Sequence, residues 1–148
     1  MSFTKNGVYT VRNIGKDLML DLKDDSTVEG NSIQGYTKNG TEAQMWMIKK
    51  QTEPKNSDNT FTIQTYNKGY NGNGFFTTVK EGVNEPVVYD RSAFLVELVQ
   101  GVNETYRISF TLGNPDLVLS LPDDDNLVKL ANFNSADAYQ QWVLTPVN

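Results

Sequence analysis

Gln44-Met45-Trp46-Met47-Ile48 returns near the end of the chain as Gln140-Gln141-Trp142-Val143-Leu144, and a looser copy, Ser92-Ala93-Phe94-Leu95-Val96, stands between them. An aromatic residue thus falls at 46, 94 and 142, 48 residues apart both times. Each copy closes a unit that also opens alike. Gly7-Val8-Tyr9-Thr10-Val11-Arg12 aligns with Asn59-Thr60-Phe61-Thr62-Ile63-Gln64 and with Glu104-Thr105-Tyr106-Arg107-Ile108-Ser109. The shared pattern is small or polar, aromatic, polar, then a β-branched residue. Two further apolar stretches separate opening from close in every unit. They are Leu18–Leu22 and Ser32–Tyr36 in the first, Gly74–Thr78 and Pro86–Tyr89 in the second, Leu117–Leu121 and Leu127–Leu130 in the third. Four aligned features in three copies define an internal repeat.

The opening stretches Val8–Arg12, Phe61–Thr65 and Tyr106–Phe110 alternate apolar with polar residues, the period of a half-buried strand. No stretch of eleven or more shows helical spacing. The intervening segments are rich in turn formers: the chain holds 16 Asn and 11 Gly, which tolerate positive φ. The reading is all-β, with twelve strands in three four-stranded repeats at about 7–52, 58–100 and 103–148. A four-stranded unit of this length cannot bury its apolar face alone, so the three must share one core. Three blades are too few for a propeller. A closed barrel capped by three hairpins, with pseudo-threefold symmetry, removes the sheet edges. With 148 residues, the whole chain, 1–148, reads as one domain.

Composition narrows the chemistry. The chain has no Cys and no His, so disulfides, thiolate metal sites, cysteine nucleophiles and every Ser-His-Asp arrangement are excluded. Its net charge of −5 disfavours nucleic acid and anionic membranes. No two carboxylates are placed across a pocket by spacing, so a glycosidase pair is not expected. The acidic run Pro122-Asp123-Asp124-Asp125-Asn126 lacks the glycine and distal glutamate of a calcium loop and reads as a solvated turn. The expectation is a non-enzymatic protein with no cofactor and no metal. The N-terminal residues show no apolar targeting core, which makes a cytoplasmic location the default.

Leu20-Asp21-Leu22, then Ile33-Gln34-Gly35-Tyr36, then Gln44-x-Trp46 resembles one repeat of the ricin B-type (R-type) β-trefoil superfamily, and Gln140-x-Trp142 repeats its Gln-x-Trp signature. The resemblance runs from about Gly7 to Leu144, closest in the first repeat. Length and acidity are most similar to cytosolic fungal members, which include lectins and defence proteins that inhibit proteases, such as mycocypins and cocaprins. It implies the β-trefoil fold, glycans or proteases as partners, and allows a homodimer.

A sugar site on such a repeat needs a carboxylate for two adjacent hydroxyls, a ring for the apolar sugar face, and an amide that both donates and accepts. The first repeat supplies Asp21 and Tyr36, with Gln44 of the signature. Ala43 stands where the family has Asn, and Asn39 is the candidate substitute. The third repeat has Ser120 and Tyr139 at the Asp and Asn positions, and the second has Thr77 or Thr78 for the Asp. One galactose- or N-acetylgalactosamine-type site, built on Asp21, Tyr36, Asn39 and Gln44, is the lectin reading.

The incomplete sugar set favours the other reading, an inhibitor of papain-like cysteine proteases, and of aspartic proteases by extension. Such proteins insert a loop that is ordered before binding and so loses little entropy on docking. The candidates are the stretch Asp24, Asp25, Ser26, Thr27, Val28, Glu29 and Gly30, with apolar Val28 near its tip, and the 67–74 loop with Tyr70 and Asn71 in a Gly/Asn frame.

Overall fold

The computed structural model describes residues 5–51, 60–66, 75–78, 82–90, 95–110, 117–122 and 125–147. In strand β1 (Gly7–Asn13) alternate side chains Tyr9, Val11 and Asn13 are buried, as the period-two pattern requires. The same alternation runs through β4 (Trp46–Lys50) and β8 (Leu95–Gln100), whereas β5 (Thr60–Thr65) and β9 (Tyr106–Phe110) bury consecutive residues and β12 (Trp142–Pro146) buries Trp142 at its start. These six close on themselves, all antiparallel. β1 pairs with β4 and β12, β5 with β4 and β8, and β9 with β8 and β12. The ring has no free edge.

The remaining strands form three hairpins: β2 (Leu18–Leu22) with β3 (Ile33–Tyr36), β6 (Phe75–Thr78) with β7 (Val87–Asp90), and β10 (Leu117–Ser120) with β11 (Lys129–Asn132). They meet around one axis in a cyclic pattern. Ser32 bridges Val88, Pro86 bridges Lys129, and Leu127 bridges Gln34. The hydrogen bonds repeat it: Tyr89 N–H donates to Asn31 O (2.8 Å), Leu130 N–H to Glu85 O (2.9 Å), and Gly35 N–H to Asn126 O (2.7 Å). Each unit thus meets the next by the same contact, first to second to third to first. This is a β-trefoil, with its twelve strands in three repeats as expected.

These contacts make residues 35, 89 and 130 equivalent, and the hairpin registers extend the set. Asp21, Thr77 and Ser120 correspond, as do Tyr36, Asp90 and Ala131. Trp46 and Trp142 correspond too. Both are fully buried (0% exposed), and their indole N–H groups donate to Leu20 O at 3.0 Å and Leu119 O at 3.2 Å, themselves equivalent residues.

The second repeat departs from the sequence alignment by two residues. Trp46 lies opposite Tyr9 and Thr65, and Trp142 opposite Tyr106 and Asn13. The residue opposite Phe61 and Phe110, the corresponding partners, is Val96, not Phe94. Phe94 lies outside the described residues. The spacings are therefore 50 and 46 residues, not 48 twice. A shift of two leaves every side chain on its own face, so alternation could not detect it.

Val11, Leu20, Ile48, Phe61, Ile63, Ile108, Phe110 and the two tryptophans form a single apolar core. Gly35 stands where its equivalents are Tyr89 and Leu130, and a Cβ there would run into the Leu121 side chain. The hairpin therefore needs glycine at this point for packing.

Candidate functional site

In the first repeat β2 and β3 put Asp21 directly opposite Gln34. Asp21 lies within a strand, not at a turn, and only 4% of its surface is exposed. Burying a carboxylate requires hydrogen bonds to the charge. Gln34 Nε2 donates to Asp21 Oδ1 at 3.0 Å, and Gln44 Nε2 donates to Asp21 Oδ2 at 3.0 Å. Each oxygen keeps capacity for a further donor, since a carboxylate accepts about four hydrogen bonds.

Gln44 is itself fixed. Its Oε1 accepts the Asn39 N–H at 3.0 Å, and its Nε2 also donates to Thr37 O at 2.9 Å. The third repeat contains the same arrangement without the carboxylate. Gln140 Oε1 accepts the Asn134 N–H at 2.9 Å and its Nε2 donates to Asn132 O at 2.8 Å, while Ser120 replaces the aspartate. The glutamine is thus a fastening of the fold in both repeats, and only the first adds a functional group to it. In the second repeat the register places Thr77 at the aspartate position and Asp90 at the ring position.

Asp21 opens into a cavity of about 310 Å³, which Gln34, Tyr36, Asn39, Thr41 and Ala43 also line. Tyr36 is 52% exposed and stands at its edge. Asn39 Oδ1 accepts from the Thr41 N–H (3.0 Å) and hydroxyl (2.8 Å), which leaves its amide nitrogen as a donor. Three of the four expected residues, Asp21, Tyr36 and Asn39, therefore share one concavity. The fourth does not line it: Gln44 is buried (1% exposed) beneath Asp21 and acts as a positioning residue. Gln34 was missed by the sequence reading. Its signal was the hairpin register, which sets it opposite Asp21.

The loop read as a separate protease-binding candidate forms a wall of the same cavity through Asp24 and Asp25. Both adopt left-handed backbone, with φ of 56° and 53°, in a one-turn 3-10 segment. Aspartate tolerates that conformation better than most residues. The loop is tied from within. Asn31 Nδ2 donates to Lys23 O (2.8 Å) and Ser26 O (2.9 Å), and the Gly30 N–H donates to Tyr89 O of the second repeat (2.9 Å). Ser26, Thr27 and Glu29 complete it, and Val28 projects at its tip, 70% exposed. Tyr70 and Asn71 lie outside the described residues, as do Asp123 and Asp124 of the acidic run. Asp125 of that run pairs with Lys129 Nζ at 2.7 Å. No cluster of three or more potential metal-ligating side chains occurs among the described residues.

Burial raises the Asp21 carboxyl above the usual carboxylate range. The hydrogen bonds from Gln34 and Gln44 oppose that rise, and the nearby Asp24 charge adds to it. A carboxylate kept in a cavity against its own desolvation is a common sign of a functional site.

Residues 2–73 match the family model described as ricin-type beta-trefoil lectin domain-like. Among solved structures, the Rhizoctonia solani agglutinin is similar over 99% of both chains, with 23% identity and a TM-score of 0.82. The Macrolepiota procera ricin B-like lectin, in complex with lactose, is 14% identical with a TM-score of 0.79, over 99% of this chain and 100% of its own. ThreeFoil, a designed threefold-symmetric protein, is 15% identical with a TM-score of 0.81, over 95% and 99%. No curated protein matches the sequence. The cyclic repeat contacts and these similarities agree on the fold: the chain is a β-trefoil, and its first half is similar to the ricin-type lectin-like domain family.

Proposed function

We propose that this chain is a carbohydrate-binding protein, not an enzyme, with one site in its first repeat for a terminal galactose- or N-acetylgalactosamine-type sugar. The observation that carries the reading is the shared concavity of Asp21, Tyr36 and Asn39, with the Asp21 carboxylate set by two amides. The carboxylate accepts from two neighbouring hydroxyls, Tyr36 stacks on the apolar face of the ring, and Asn39 Nδ2 donates to a further oxygen. Asp21, Asp24 and Asp25 together make the cavity acidic, so the sugar it takes is neutral. The lactose complex of the Macrolepiota lectin, which presents a galactose end, supports the same class. The test is a glycan array followed by calorimetry with lactose. A blank array, with no heat from lactose, would end this reading.

A second reading retains the protease inhibitor of the sequence analysis, in which papain-like or aspartic proteases are the partners. One observation favours it: the 23–31 loop is ordered by its own hydrogen bonds and carries a 70% exposed Val28 at its tip. Tyr70 and Asn71 offer no support, since they lie outside the described residues. Titrating papain with the protein decides it, and full activity at micromolar protein would remove it.

A further inference from the structure

A second concavity, of about 150 Å³, lies in the third repeat, away from the hairpin position that holds Asp21 in the first. The last strand of the second repeat and the first of the third form one wall, through Gln100, Thr105 and Arg107, and the loop after β11 forms the other, through Phe133 and Asn134. Residues 101–148 carry only two cations, Arg107 and Lys129, against six carboxylates. Lys129 is paired with Asp125. Arg107 has no carboxylate partner among the described residues. Its guanidinium carbon stands 4.1 Å from the centre of the Phe133 ring, and its Nε donates to Ser109 Oγ at 3.0 Å. Those two contacts hold the plane of the guanidinium and leave both Nη groups available to an acceptor. No Asp or Glu lines the cavity.

Such a guanidinium, fixed by an aromatic ring and a hydroxyl beside a small, largely apolar hollow, suits a planar anion attached to a compact body. The side-chain amides of Gln100 and Asn134 stand on opposite walls and supply donors and acceptors for hydroxyls. Phe133, 42% exposed at the rim, offers an apolar face. The volume admits one ring, not a chain of them. We infer that this hollow is a binding site for the carboxylate of a sugar acid, such as a terminal uronic acid, held by Arg107 and walled by Phe133. Its charge logic is the opposite of the first-repeat cavity, whose three aspartates turn anionic sugars away. The inference does not depend on that cavity binding anything.

The test uses the full chain and three probes: D-glucuronate, D-glucose and benzoate. They separate the carboxylate with hydroxyls from hydroxyls alone and from carboxylate alone. Binding is read by amide chemical-shift titration, so the resonances that move also report where each probe sits. Glucuronate should bind in the millimolar range or tighter and move Arg107, Phe133 and Asn134. Glucose and benzoate should bind at least about tenfold more weakly. Arg107→Gln should weaken glucuronate by roughly 10- to 100-fold, and Phe133→Leu, which frees the guanidinium but keeps an apolar rim, by about 2- to 5-fold. Lactose titration of Arg107→Gln should match the wild type, which keeps the two sites distinguishable. Absence of glucuronate binding, equal binding of glucose or benzoate, or binding that survives Arg107→Gln would each overturn the inference.

Discussion

Replacing Asp21 by Asn separates sugar binding from folding, because the same burial that makes the carboxylate useful makes it a poor contributor to the fold. Asparagine fits the same volume and keeps one acceptor oxygen. Gln44 cannot turn to meet a new donor, since its Oε1 and Nε2 are already committed to Asn39 N–H and Thr37 O. The asparagine oxygen therefore faces Gln44, its NH₂ faces Gln34, and the half-buried Gln34 amide flips. Two charge-assisted hydrogen bonds become neutral ones, a loss of roughly 1 kcal/mol each at most. Against this, the folded state no longer holds a desolvated carboxylate. The two effects oppose each other, and the expected change in stability is within about 0.5 kcal/mol, or about 2 °C in Tm.

Binding has no such compensation. The sugar hydroxyls exchange an ionised acceptor pair for one neutral oxygen and an NH₂ that cannot accept. The loss is about 2–3 kcal/mol, roughly 30- to 150-fold in Kd. The pH dependence carries a sign check. The Asp21 pKa is raised in the fold, so its contribution to stability is greatest below the unfolded value and is lost as pH rises through the folded one. Lactose affinity runs the other way, falling as the carboxyl protonates, at a pH above the ordinary carboxylate range. Calorimetry with lactose and thermal melts of wild type and Asp21→Asn across pH 3–7 provide both curves, and their difference isolates this group. A variant that binds lactose normally, or one that unfolds many degrees earlier, would refute the reasoning.

Gln44→Ala and Gln140→Ala strand equivalent backbone groups, Asn39 N–H with Thr37 O and Asn134 N–H with Asn132 O, so each should destabilise by about 2–4 kcal/mol in urea titrations. Only Gln44→Ala should also weaken lactose, because only Gln44 holds a carboxylate. Gly35→Ala should lower Tm by about 3–6 °C, as the new methyl pushes the Leu121 side chain out of place. Lys129→Met should lose less than about 1 kcal/mol at pH 7, the measure of a partly exposed ion pair. The Lys129 hydrogen bond and charge hold the Asp125 carboxyl below the usual range, so that stability is present above the unfolded pKa and disappears as pH falls through the lowered one; equal melts of variant and wild type at pH 7 would exclude the pair as a contributor.

The repeat was legible because it is written in alternation and in a few large residues. Tyr9, Phe61 and Tyr106, or Trp46 and Trp142, are large side chains that recur at equivalent places in or against the core. The fourth strand of the second repeat was misaligned for the same reason: without a Gln-x-Trp pair to anchor it, Phe94 and Val96 satisfy the alternation equally well. Among the site residues, Asp21 and Tyr36 were visible through the family pattern, and Asn39 through its position after β3. Gln34 was hidden because its role depends on which residue faces it across the hairpin. The loop was hidden in another way. Sequence separates Asp24 and Asp25 from Asp21 as loop from strand, whereas the 3-10 turn folds them back over the same cavity.

The comparison of the first and third repeats explains why the proposed binding site lies where it does. Gln44 and Gln140 both bridge a backbone N–H and a backbone carbonyl at the loop that follows the hairpin, and both precede a buried tryptophan by two residues. That loop carries groups that secondary structure leaves unpaired, and a buried amide satisfies both at once. The glutamine is therefore required by the fold whether or not anything binds. Once it is present, its second amide hydrogen points to the neighbouring strand position, where an aspartate gains a ready partner and a serine is equally tolerated. A single substitution at that position, Asp21 against Ser120, then separates a repeat with a fixed, buried carboxylate from one without. Binding in this architecture requires little new structure: it is added to a fastening that the backbone already needs, and it can be lost from one repeat with the barrel intact.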